Sequence, residues 1–152
     1  GGITINGQVR ISKTTADRDG GAICSEEGVR VEGGSLAISD ATSKKGAGGA
    51  LLVHGALRVD SGRLTISNAT AGGSGGAICT KETHKGRSLF RDPSDADPDV
   101  EEGAIRSKTV SVFNATIIIS NAAAKESGGA VMTHGEFYMG GGAVAMSNVR
   151  AE

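Results

Sequence analysis

The chain has no tryptophan, one tyrosine and three phenylalanines among its 152 residues. So few rings make a base-stacking platform for single-stranded nucleic acid a poor fit. Charge is nearly balanced, with 16 basic and 17 acidic residues and a net charge of -1. That balance argues against a phosphate backbone or an anionic membrane as partner. No apolar run reaches the roughly 18 residues that a membrane-crossing helix needs. Proline occurs twice and cysteine twice. Two cysteines are too few to staple a scaffold, and they leave the redox compartment open.

Glycine, in contrast, is abundant, at 25 residues. The glycines do not form a linker. They recur among Val, Ile and Leu at regular places, as ordered turns do. Gly-Gly-Ala stands at 20–22, 48–50, 75–77 and 128–130. From Gly20 to Gly48 is 28 residues, from Gly48 to Gly75 is 27, and from Gly75 to Gly128 is 53. Between the turns, "VRVEGGSLAISDA" (29–41) aligns with "LRVDSGRLTISNA" (57–69), "VSVFNATIIISNA" (110–122) and "FYMGGGAVAMSNV" (137–149). "VRISKT" (9–14) reads as the tail of an earlier copy. Self-similarity at such a period is the signature of a solenoid.

Each unit holds three short extended stretches in which apolar residues alternate with others. Period 2, β-branched enrichment and frequent glycine breaks specify strands and exclude helices. The expected fold is therefore all-β: a right-handed, three-sided parallel β-helix. It has about 27 residues per coil and about five coils including partial ones. Successive coils stack at about 4.8 Å, so equivalent residues form ladders. Leu36, Leu64, Ile117 and Val144 make one inward ladder, and Ile38, Ile66, Ile119 and Met146 a second. Asp40, Asn68, Asn121 and Asn148 share a column at the end of the third strand, with Lys13 in the partial copy. Stacked side-chain amides bond to one another and to the turn backbone, which predicts a structural Asn ladder with Asn68 buried in it.

The pairing of "GGAI" (20–23), "GGAL" (48–51), "GGAI" (75–78) and "GGAV" (128–131) with strands ending in Asn68, Asn121 and Asn148 resembles the polymorphic outer membrane protein family. The resemblance covers most of the chain. Thr65, Ile118 and Ala145 stand where the family pattern has Phe. It implies a right-handed β-helical passenger, surface display and adhesion.

The step of 53 residues carries an insertion, 81–108, within the fourth coil. It holds both prolines and divides into a basic half, "KETHKGR" (81–87), and an acidic half, "DPSDADPDVEE" (92–102). Insertions leave solenoids at a corner and often carry binding. Arg87, Phe90, Arg91, Asp95, Asp97 and Asp99 are the candidates for partner contact. Asp95, Asp97 and Asp99 also make a weak calcium candidate. The spacing fails the EF-hand pattern, with no Glu at the twelfth place.

Cys24 and Cys79 fall in one column with a coil between them. At about two strand spacings they are too far apart for a disulfide, and free thiols packed as small apolar residues are expected. The neighbouring columns Ile23/Leu51/Ile78/Val131 and Cys24/Leu52/Cys79/Met132 are both apolar. Either a corner turns both inward or something covers this face. Arg30 and Arg58 stack on an outer face, with Glu32 and Asp60 two residues on, so charge is locally compensated, with an anionic-sugar site as the alternative reading. His54 and His134 share a column but lie far apart, and His84 has no clear partner, so no metal set emerges. Asn68-Ala-Thr70 and Asn114-Ala-Thr116 are glycosylation sequons, the second more accessible at its corner. "GGSGG" (72–76) matches a nucleophile elbow in letters only, without the strand-to-helix setting.

The sequence thus supplies no catalytic residues, metal ligands or cofactor motif. It reads as a single β-helix segment, 1–152, of a longer chain, or as a processed product, because both ends fall inside the repeat and no signal peptide is present. Three functions follow. The first is a non-enzymatic scaffold or accessory subunit with protein partners. The second is a surface adhesin-like passenger. The third is a polysaccharide lyase or hydrolase, with carbohydrate as ligand. The compartment stays open, leaning toward a cell surface or an organelle lumen.

Overall fold

Val29 and Val31 are buried while Arg30 and Glu32 face solvent, and Leu57 and Val59 repeat the pattern one turn later. This in-and-out alternation is what makes the strands. The computed structural model describes residues 2–81 and 109–152. Over these residues the chain is all-β, with parallel strands stacked as a β-solenoid of about four turns, about 28 residues apart.

A partial first turn supplies β1 (Ile3–Ile5) and β2 (Gln8–Ala16). The next supplies β3 (Ile23–Ser25), β4 (Val29–Glu32) and β5 (Ser35–Ser43). Then come β6 (Leu51–Val53), β7 (Leu57–Asp60) and β8 (Arg63–Ala71). In the last two turns a short strand precedes a long one. These are β9 (Ile78–Thr80) with β10 (Val110–Ala124), and β11 (Val131–Thr133) with β12 (Phe137–Ala151). One sheet runs β1-β4-β7-β10-β8-β5-β2, with β12 also on β10, and the other runs β11-β9-β6-β3. The first appears continuous because β10 pairs with β7 through Val110–Phe113 and with β8 through Thr116–Ala124.

The inward ladders form the core. Leu36, Leu64 and Ile117 are buried in register, as are Ile38, Ile66 and Ile119. In the last turn Met146, at the end of the second of these columns, comes to the surface, as do Phe137 and Met139 beside Val110 and Val112.

The Asn column does more than close a strand. Asp40, Asn68, Asn121 and Asn148 all adopt left-handed backbone, with φ of 53°, 53°, 52° and 49°. The strand bends there and continues for three more residues. This turns Ala41, Ala69 and Ala122 into the core. Asn and Asp tolerate this conformation because their short polar side chains bond locally. The column faces outward, so Asn68 is exposed rather than buried.

The glycine turns divide their labour. The first glycine of the Gly-Gly-Ala turns at 20, 48, 75 and 128 is left-handed, with φ between 62° at Gly128 and 67° at Gly75. The second sits against the next turn. A Cβ on Gly49 would overlap the Gly76 carbonyl oxygen and lie 2.7 Å from the Thr70 backbone. Only glycine lets two turns approach this closely.

Candidate functional site

The outer positions of β4, β7, β10 and β12 stack into two columns. Arg30, Arg58, Ser111 and Tyr138 form the first, and Glu32, Asp60, Phe113 and Gly140 the second. Asp60 Oδ2 accepts hydrogen bonds from Arg30 Nε at 3.2 Å and from Arg58 Nε at 2.6 Å. Arg30 Nη2 donates to Glu32 Oε1 at 3.2 Å. Two guanidiniums and two carboxylates therefore cancel within the patch. Asp60 Oδ1 is buried and has no partner.

Past the charges lies an aromatic pair. The Arg58 guanidinium sits 4.8 Å from the centre of the Phe113 ring, within cation–π range. Phe113 meets Tyr138 at 5.3 Å between centroids, tilted by 43°. Gly140 makes room for both rings. A Cβ there would lie 2.8 Å from Phe113 Cδ1 and 3.1 Å from Tyr138 Cε1. Sequence reasoning found the charge compensation but missed the rings. The signal was present in the alignment, which sets Phe113 in the Asp60 column above a glycine.

A second outer feature is the Asn ladder itself. Asn148 Nδ2 donates to Asn121 Oδ1 at 3.0 Å, Asn121 to Asn68 at 3.0 Å, and Asn68 to Asp40 Oδ1 at 2.9 Å. A shallow hollow of about 260 Å³ runs beside it, lined also by Thr70 and Arg150. Every amide donates in the same direction and the row ends on a carboxylate, an order that polarises the chain cooperatively. The Asn68 sequon nitrogen is thus engaged, whereas Asn114 stands exposed at its corner with φ of 45°.

The third feature lies outside the four-stranded sheet. Ile23, Leu51, Ile78 and Val131 point into the main core. Leu52, Cys79 and Met132 point the other way, where Ala47 packs on them as a small second cluster. The two apolar columns therefore face opposite sides, and a turn of the chain itself covers the outer one. A cavity of about 530 Å³ remains beside it, with Cys79 and Met132 on its floor. Arg18, Lys45, Lys81, Glu126 and His134 line its rim. Lys81 lies 3.5 Å from Asp19 Oδ1, which also accepts from Ala47 N at 2.8 Å. His134 Nδ1 donates to Thr80 O at 2.9 Å.

Burial pushes the Cys79 thiol up to about 11. Burial also raises Cys24, with the nearby Asp19 and Glu26 carboxylates adding to it. Both cysteines are free, as the column spacing predicts, but Cys24 is exposed rather than packed. It sits on β3, the edge strand, where cover comes from one side only.

Among the described residues no group of three His, Cys, Asp or Glu side chains could hold a metal ion. Likewise no helix there is long and apolar enough to cross a membrane. The insertion candidates Arg87, Phe90, Arg91, Asp95, Asp97 and Asp99, and His84 with them, lie outside the described residues. No protein-family model, curated protein or solved structure matches this chain.

Proposed function

We propose that this chain is a non-enzymatic β-helical interaction module, a scaffold or accessory part of a larger assembly that presents residues 82–108 from one corner. One observation carries the reading. Ile78 pairs with Leu51 and Val110 pairs with Leu57, so the turn keeps its register on both sides of the insertion. A solenoid that absorbs so much extra chain without a shift is suited to holding a variable segment on a rigid frame.

Native mass spectrometry of the protein isolated from its source tests this reading. A particle of defined stoichiometry with protein partners is expected. The partner mass should disappear when residues 82–108 are replaced by one glycine. A lone chain, or full assembly by the shortened variant, counts against it.

The surface-passenger reading is favoured by the four Gly-Gly-Ala turns that resemble the polymorphic outer membrane proteins. Display of the intact protein at a cell surface, seen by labelling unpermeabilised cells, separates it from the scaffold reading. The lyase or hydrolase reading draws its acids from Asp95, Asp97 and Asp99, outside the described residues. Glu32 and Asp60, on the face they would need, are already bound to Arg30 and Arg58.

A further inference from the structure

We propose that the outer face of β4, β7, β10 and β12 binds a neutral oligosaccharide laid along the solenoid axis, with Tyr138 and Phe113 as its stacking platform. The aromatic placement is the first argument. In a chain with one tyrosine and three phenylalanines, Tyr138 and Phe113 meet on one outer face. Both rings lie on the outer face, and Tyr138 is 51% exposed. A half-exposed ring with a polar tip suits a ligand that has an apolar C–H face and a hydroxyl rim.

Charge is the second argument. Arg30, Arg58, Glu32 and Asp60 sum to zero, and each is fixed by a neighbour. An anionic sugar would have to compete with Asp60 for the guanidiniums. A neutral polyol does not. Its hydroxyls donate to carboxylate oxygens and accept from the remaining guanidinium N–H groups, in charge-assisted bonds. Among the described residues Arg58 bonds Asp60 through its Nε alone, which leaves its terminal nitrogens above Phe113 for a ligand.

Geometry is the third. Turns repeat at about 4.8 Å, close to the length of one sugar ring, so consecutive rings meet consecutive turns. The side chains are held by register and ion pairs before any ligand arrives, which reduces the ordering cost of binding. A peptide strand suits this face poorly. Strand addition needs an open sheet edge, and here the backbone of β7 and β10 is already paired within the sheet.

The protein carries its own probe, because Tyr138 is the sole tyrosine and there is no tryptophan. The full chain is titrated with neutral hexasaccharides (a β-1,4-glucan, an α-1,4-glucan and a β-1,4-mannan) and with oligogalacturonate and oligoalginate. Tyrosine emission and calorimetry are followed. A saturable change with at least one neutral hexasaccharide, and weaker binding of both anionic oligomers, is expected. By calorimetry Tyr138→Ala and Arg58→Ala should each weaken binding about tenfold, which corresponds to about 1.4 kcal/mol. The distant Arg150→Ala and the variant lacking 82–108 should bind as the parent does. Circular dichroism confirms that each variant folds. The proposal is overturned if no neutral hexasaccharide saturates, if Tyr138→Ala binds within twofold of the parent, or if the anionic oligomers bind more tightly. A protein partner that occupies this face and is released by Tyr138→Ala, with no glycan binding, also overturns it.

Discussion

Asn121 donates its side-chain amide to Asn68 Oδ1 across 3.0 Å, although 53 residues separate the two in sequence. Both residues hold left-handed backbone, with φ of 52° and 53°. One residue type thus does two jobs at this corner. It bends the strand, and it ties each turn to the one before.

Substitution separates the two jobs. Asn121→Ala loses both ladder bonds and places a Cβ in left-handed backbone, for a total cost of about 2 kcal/mol. Asn121→Gly loses the bonds alone and should cost about 1 kcal/mol. Urea unfolding of the three proteins checks the order. Equal losses for Ala and Gly would assign the whole effect to the hydrogen bonds.

Three glycines make a graded series. A Cβ at Gly49 would collide with the backbone of the adjacent turn, and nothing there can move aside without parting the coils. Gly49→Ala should cost about 3 kcal/mol or more. Gly33 has φ of 66° but open space around it, so Gly33→Ala should cost about 1 kcal/mol from backbone strain alone. Gly7 has neither constraint, so Gly7→Ala should be neutral or raise stability by about 0.5 kcal/mol. Thermal unfolding followed at 218 nm ranks them, and a Gly49→Ala protein as stable as Gly33→Ala would contradict the close-approach argument.

These positions also show what the sequence made legible. The alternation in Val29–Glu32 and Leu57–Asp60 fixes which side chains face inward, and the Gly-Gly-Ala spacing fixes the register, so fold class and core ladders could be read directly. The third inward column, Ala41, Ala69 and Ala122, could not. It exists only because the preceding Asn or Asp bends the strand, and a lone alanine after Ser-Asn or Ser-Asp carries no alternation of its own. β1 was also invisible, since Ile3–Ile5 is only three residues long. The Phe113–Tyr138 pair depends on side chains leaning between columns, which residue periodicity does not encode.

The corner before the insertion has a template in the preceding turn. Val53 pairs with Thr80 and Leu57 pairs with Val110. Between them lie His54, Gly55 and Ala56 in one turn, and Lys81 and Thr109 flanking residues 82–108 in the next. Replacing 82–108 by a single glycine reproduces the three-residue corner. The shortened chain should fold and gain about 1–2 kcal/mol, because less loop entropy is lost on closure. A matching far-ultraviolet spectrum with a higher denaturation midpoint is expected. A chain that fails to fold would show that the insertion is part of the coil.

The two thiols should differ sharply in reactivity. Cys24 is exposed on the edge strand, while Cys79 is buried in a cluster with Ala47 and Leu52. With Cys79 pushed up to about 11, very little thiolate forms at pH 8, and the reagent cannot reach it. A neutral disulfide reagent at pH 8 should therefore label one cysteine per chain in the native protein and both in denaturant, with Cys24→Ser abolishing the native reaction. The same shift predicts a pH dependence of stability. Folding raises the Cys79 thiol from its ordinary 9.0, so the native state holds this proton more tightly than the unfolded chain does. The contribution is fully present below pH 9.0 and is lost as pH rises through about 11. Unfolding midpoints of the parent should fall over this range more steeply than those of Cys79→Ala, whose baseline is lower because of the cavity left behind. Parallel slopes for the two proteins would mean that the thiol is reached by solvent, and that the second apolar cluster opens in solution.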